Sequence, residues 1–210
     1  MLDFLKQLTD PQSIIEYGGL ALLLFVVFAE TGLLVGFFLP GDSLIFISGM
    51  LCMTKSVQLN VSLLQLIIAL SAAAILGNIF GYWFGYKVGP ALFKRDDSII
   101  FKKKYLEVTK AFYDKRGAAT LILGRFLPII RTFAPILAGV IKVNFSVFMW
   151  YNLVGAIAWI GSLASIGYYL GSYDWVQKNI GWIVIALIVI TALPILIGIV
   201  KNKIKGDTKK

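Results

Sequence analysis

Six apolar runs limit what this chain can fold into: about residues 18–39, 43–53, 61–93, 117–141, 145–172 and 179–200. Several reach the roughly 20 residues that an α-helix needs to cross the hydrocarbon core of a bilayer. Of the 210 residues, 59% are hydrophobic and only 15% are charged, and the mean hydropathy is +0.84. A soluble domain of this length needs a polar exterior that such a composition cannot supply. The expected class is an all-α, polytopic integral membrane protein.

Composition also removes whole classes of chemistry. The chain has no histidine and one cysteine, Cys52. Serine-histidine catalysis, histidine metal ligation, an intrachain disulfide and a cysteine metal cluster are all excluded, and carboxylates are left as the proton carriers. No phosphate-binding Gly-rich loop of the ATPase type is present. No enzyme activity, metal or cofactor is expected. The first seventeen residues set Lys6 against Asp3, Asp10 and Glu16, the wrong charge pattern for a cleavable signal peptide.

The net charge of +9 is localised. Residues 94–116 carry eight basic and four acidic groups, and 201–210 carry five basic and one acidic. Flanking apolar runs as they do, these segments follow the positive-inside pattern and are read as cytoplasmic, facing anionic headgroups and not nucleic acid.

A weak internal repeat organises the rest. `FLP` at 38–40 returns at 126–128, and `GYWFG` at 81–85 returns as `GYYLG` at 167–171, offsets of 88 and 86. Each half reads as a proline-interrupted apolar segment followed by a long helix, 61–89 in the first half and 146–172 in the second. The divisions are an N-terminal segment 1–17, a first repeat 18–93, a basic cytoplasmic loop 94–116, a second repeat 117–172, and a C-terminal transmembrane helix with basic tail, 173–210. If each broken segment is a re-entrant hairpin and each long helix crosses once, the two halves are inverted, as in many secondary transporters. The side of the N-terminus stays open.

Gly77, Gly81, Gly85 and Gly89 share one face of the first long helix, where they permit close helix packing. Trp150, Tyr151, Tyr168, Tyr169, Tyr173, Trp175 and Trp182 lie near helix ends and suit the membrane interface.

Four charges fall inside the broken segments: Glu30 and Asp42 in `ETGLLVGFFLPGDS`, Arg125 and Arg131 in `GRFLPIIRTFAPILAGV`. Unpaired, four such charges would cost roughly 10–14 kcal/mol at the bilayer centre, but their sum is zero. On a continuous helix Glu30 and Asp42 would stand about 18 Å apart, and the arginines would point about 120° apart. Pro40-Gly41 and Pro128 break the helix between the members of each pair and let them converge, and Pro135 is a further expected break. The result is a polar site within the membrane. A buried ion cluster that merely locks the halves together is the simpler reading, and Arg125 has the further option of snorkelling to the interface.

This succession resembles the DedA family, whose conserved region is also called the SNARE-associated or VTT domain. The shared features are a glutamate, an aspartate in `LPGD` twelve residues on, a glycine-rich helix, `GRFLPIIRTFAPILAG`, and an aromatic-rich helix with a tryptophan. The likeness spans about residues 18–175. It implies re-entrant hairpins, a bacterial inner-membrane location and proton-coupled lipid transport, with undecaprenyl phosphate or phospholipids such as phosphatidylethanolamine as substrates. It also implies functional roles for Glu30 and Asp42, and for Arg125 and Arg131. Where the family often has Glu after `LPG`, this chain has the shorter Asp42.

The expectation is a proton-motive-force-linked flippase for undecaprenyl phosphate, with Arg125 and Arg131 on the phosphate and Glu30 and Asp42 exchanging protons. A phospholipid scramblase and an ion or drug/proton antiporter are the alternatives. The partners expected are membrane lipids and protons, and self-association into a homo-oligomer stays open.

Overall fold

The computed structural model describes residues 11–33, 36, 39–54, 59, 61–94, 103–183, 185, 186 and 189. The N-terminal ten residues and most of the expected helix 179–200 lie outside that set. The described residues form α1 (Pro11–Gly32), α2 (Gly41–Met53), α3 (Leu63–Lys94), α4 (Lys103–Arg116), the short α5 (Thr120–Leu123), α6 (Pro128–Val140), α7 (Phe145–Leu170) and α8 (Asp174–Lys178), with 3-10 turns at Gly117–Ala119 and Gly124–Phe126. No strand occurs among them. Helix α1 is interrupted at Gly19, whose φ of 52° is readily adopted only by glycine.

Local sequence explains where the two long helices start. Ser62 and Gln65 form a reciprocal capping box at α3: the Ser62 N–H donates to Gln65 Oε1 at 2.9 Å, and the Gln65 N–H donates to Ser62 Oγ at 3.3 Å. At α7, Asn144 Oδ1 accepts from the N–H groups of Ser146 and Val147. Within α3, Leu63–Gly89 is long and apolar enough to cross a membrane, as is the whole of α7.

Helix α7 buries Asn152, Gly155, Ala156, Trp159, Ile160 and Gly167 on one face. The opposite face exposes Trp150, Leu153 and Ile157. A helix at a soluble protein's surface would be polar there, so this second apolar face belongs against lipid. Of the expected interfacial aromatics, Trp150, Tyr169, Tyr173, Trp175 and Trp182 are exposed.

Helices from the two halves interlock by exchange. From the first half, α3 packs most extensively on α6 of the second, while α7 of the second half packs on α2 of the first. Within each half the arm before the break lies on that half's long helix: α1 on α3, and α5 on α7. Glycine permits both crossings. A Cβ on Gly85 would overlap the Ile136 carbonyl, and one on Gly139 would overlap that of Tyr82. Across α2 and α7, Gly49 faces the Ala164 carbonyl and Gly167 that of Phe46 in the same way. On the glycine face of α3, Gly77 meets Gly32 and Thr31 of α1, Gly81 and Gly85 meet α6, and Gly89 meets Val140.

Two features differ from the sequence reading. Pro135, expected as a helix break, lies inside the continuous helix α6. It removes one ladder hydrogen bond, but residues 130–139 are buried throughout, and packing on every side holds the helix through the defect. The working break in that segment is Leu127, extended at φ −122° and ψ 109°, followed by Pro128 at the first helical position. The basic stretch 94–116 is also more than a loop, since it contains α4, which packs against α6.

Candidate functional site

Helices α2 and α6 both begin in the interior, next to Pro40 and Pro128 respectively. Their first turns carry Asp42 and Arg131, and α1 delivers Glu30 two residues before its end at Gly32. The breaks thus do for side chains what a continuous helix cannot: residues twelve apart in sequence meet at one guanidinium. Arg131 Nη1 donates to Asp42 Oδ1 at 2.7 Å, and Arg131 Nη2 donates to Glu30 Oε1. Glutamate and aspartate therefore converge on the same arginine. Glu30 fits only because residue 41 is glycine, since a Cβ there would overlap the Glu30 carboxylate.

Trp159 on α7 fastens this triad. Its Nε1–H donates to Asp42 Oδ1 at 2.9 Å, and its ring lies under the Arg131 guanidinium, 4.7 Å from centroid to Cζ. The carboxylate is thereby fixed from a helix of the other half, and the arginine from a helix of its own half. Thr132 adds a bond from Oγ1 to the Glu30 carbonyl at 3.2 Å.

Burial is uneven within the triad. The Glu30 side chain is 0% exposed and that of Arg131 2%, whereas that of Asp42 is 16% exposed. Asp42 is the member of the triad with a route to the outside.

Arg125 is placed differently. It sits in the 3-10 turn Gly124–Phe126, is 2% exposed, and lies within salt-bridge distance of no carboxylate among the described residues. The balanced charges were expected to pair mutually. Instead Arg131 takes both carboxylates, because it lies on the α6 turn that faces α1 and α2, while Arg125 faces α7. Its Nη2 donates to Asn152 Oδ1 at 2.5 Å and to the Asn152 carbonyl at 3.2 Å. Asn78 of α3 completes the group, its Nδ2 within 2.8 Å of Asn152 Oδ1. Snorkelling to the interface is ruled out for Arg125 by this burial.

Asn78, Asn152 and Trp159 were not singled out individually from the sequence. A signal existed for the first two: a lone carboxamide in a long apolar helix is costly in lipid and marks an internal face. Trp159 gives no such signal, since a tryptophan in a membrane helix is ordinarily an interfacial or core residue.

Four buried atoms in this cluster have no hydrogen-bond partner among the described residues: Glu30 Oε2, Arg125 Nε, Arg125 Nη1 and Arg131 Nε. Native interiors leave few polar atoms unpaired, so this concentration marks a site with spare hydrogen-bonding capacity, chiefly donors.

Apolar helices with lipid-facing surfaces enclosing a zero-sum charged cluster define a membrane protein with an internal polar site. Comparison with known proteins agrees. The VTT domain model matches residues 39–169. Protein DedA of Escherichia coli (strain K12) is 40% identical over 207 residues, covering 97% of this chain and 94% of that protein. An uncharacterized membrane protein of Mycobacterium tuberculosis (strain H37Rv) is 41% identical over 176 residues, 84% of this chain and 76% of its own length. The inner membrane protein YghB of Escherichia coli (strain K12) is 31% identical over 176 residues, 82% of this chain and 76% of its own. No solved structure matches. This chain belongs to the DedA family of VTT-domain membrane proteins.

Proposed function

We propose that the protein moves a phosphate-bearing lipid between the leaflets of a bacterial inner membrane, driven by the proton-motive force, with undecaprenyl phosphate as the first choice of substrate. The observation that carries this reading is the unequal treatment of the two arginines. Arg131 is held by two carboxylates, one of them partly exposed, and Arg125 beside it has none. Guanidinium stays charged at any working pH and matches phosphate oxygens bidentately. The N-termini of α2 and α6 meet at the same place, and their dipoles favour an anion.

In this mechanism Asp42 or Glu30 accepts a proton and loosens its hold on Arg131. The released guanidinium then joins Arg125 on the phosphate. Deprotonation on the other side of the membrane restores the triad and expels the lipid. The prenyl tail stays in the bilayer, so a deep tail pocket is unnecessary. No covalent chemistry is involved.

The topology that suits this cycle is a pair of inverted, re-entrant hairpins, each followed by a crossing helix. The exchange of packing partners between halves supports it, because α3 on α6 and α7 on α2 are the contacts a pseudo-two-fold relation would repeat. Single cysteines test it, in a background with Cys52 replaced. Positions 100, 205 and 144 are expected to react with an impermeant thiol reagent only from the cytoplasm, and 177, exposed beside the buried Val176, only from outside. External reaction at 144 would mean that 117–141 spans the membrane, and the hairpin would be lost.

The transport reading is tested on Arg131→Lys, which keeps the charge and removes the planar fork. In proteoliposomes carrying a defined prenyl phosphate and a pH gradient, leaflet-resolved transport should fall about tenfold or more at near-normal yield of folded protein. Full activity would reject recognition of phosphate by a guanidinium fork at this position.

A further inference from the structure

Arg125 presents a physical problem that the ion-pair triad does not solve. It is a permanent cation with 2% exposure, and its contacts are to amide and carbonyl oxygens, which accept hydrogen bonds without cancelling charge. The described hydrogen bonds all leave from Nη2. Turning the Asn78 amide the other way gives up its bond to Asn152 Oδ1 and places its oxygen 2.7 Å from that same nitrogen, while its own nitrogen donates to the Thr31 carbonyl at 3.1 Å. Nη1, with two N–H groups, and Nε, with one, have no partner among the described residues.

A glycine lets the α7 backbone lie directly against Nε. A Cβ on Gly155 of α7 would stand 2.8 Å from Arg125 Nε and 3.1 Å from Cδ. The two asparagines fix one end of the guanidinium from α3 and α7, and Gly155 keeps the backbone close without a side chain against the rest.

We infer that Asn78, Asn152 and Gly155 are positioning residues that hold Arg125 as a preorganised receptor for a phosphate oxyanion, distinct from the proton-responsive Arg131. This deepens the lipid-phosphate reading and rests on it for the source of the phosphate. A carboxylate in place of either amide would have satisfied Arg125 better and disabled it as a receptor. The amides anchor it and leave its charge available. The remaining charged groups of the cluster are Glu30 on α1, Asp42 on α2 and Arg131 on α6; the cluster residues supplied by α3 and α7, Asn78, Asn152, Gly155 and Trp159, carry no charge. An anion docking on Arg125 leaves Arg131 paired, and a monophosphate, which brings about −1.5 to −2 near neutral pH, can be balanced by protons taken up on the two carboxylates of the triad.

Asn152→Asp is the decisive variant. It is nearly isosteric and places a carboxylate where Asn152 Oδ1 lies, 2.5 Å from Arg125 Nη2. The full-length protein in lipid nanodiscs is titrated with a short-chain prenyl monophosphate, the matching uncharged prenol, and inorganic phosphate. Asn152→Asp should bind the prenyl phosphate about tenfold or more weakly than the parent, because the new carboxylate, paired with Arg125, stays ionised and occupies its charge. Prenol binding should be unchanged. A purely structural role for the amide predicts that prenol binding falls together with phosphate binding.

Equal phosphate binding by parent and variant at about pH 7.5 overturns the receptor assignment and leaves the lipid reading intact. A parent that binds inorganic phosphate, loses it in the variant and ignores the prenyl phosphate upholds the receptor and overturns the lipid source. A parent that binds neither phosphate overturns both. Should Asn152→Asp fail to fold, Gly155→Ala makes the test by placing a methyl group before Nε, and undiminished phosphate binding by that variant overturns the assignment.

Discussion

Arg131→Leu is expected to lower the stability of the folded protein by about 3–5 kcal/mol, the loss typical when one partner of a buried ion pair is removed. The cause is what stays behind. Glu30, with no exposed side-chain surface, and Asp42, with 16%, would face each other across the space the guanidinium held. Trp159 would retain its bond to Asp42 but lose the cation over its ring. Thermal unfolding of the purified protein in one detergent measures the effect. Adding Glu30→Gln to Arg131→Leu removes one of the stranded charges and should recover much of the loss. Unchanged stability in Arg131→Leu would mean that the cluster does not depend on its central cation.

The combined Glu30→Gln, Asp42→Asn protein is the second large effect, and it falls on coupling. Both substitutions mimic the protonated carboxylates at nearly unchanged volume. The cluster charge goes from zero to +2, and Arg131 is freed to join Arg125 on an anion. Binding of a prenyl phosphate should persist or tighten, while transport should cease to respond to an imposed pH gradient. A cluster that only locks α1, α2 and α6 together predicts otherwise: two uncompensated buried guanidiniums and a loss of about 3–5 kcal/mol in stability without any gain in binding. Transport that follows the gradient as in the parent would exclude Glu30 and Asp42 as the proton path. Binding, stability and gradient response are three separate readouts, so the outcomes do not merge.

Arg131 and Arg125 together show how a polar site is assembled in an apolar interior. One arginine is neutralised by groups able to take up protons, the other anchored by groups that cannot. Both arrangements satisfy a buried cation locally, but only the first lets a proton change the partner. Trp159 belongs to the first, and Asn78 and Asn152 to the second.

The sequence by itself determined the membrane class, the positions of the two long helices and the identity of the buried charges. Those depend on properties local to a segment: an apolar run long enough to span, a cap such as Ser62 or Asn144, a proline that cannot continue a helix. Pro40 and Pro128 were legible as breaks for that reason. Pro135 was not legible as a continuation, because whether a helix survives a proline depends on what packs around it, and residues 130–139 are buried throughout. The choice of partners was decided only by tertiary structure. Arg131 meets Glu30 and Asp42 across sequence separations of 101 and 89, and nothing local distinguishes it from Arg125 as their ligand. That choice follows from the crossing of α3 with α6 and of α2 with α7, where glycines let backbones touch. Those contacts turn the α6 turn bearing Arg131 towards the carboxylates and leave Arg125 to the amides of α3 and α7.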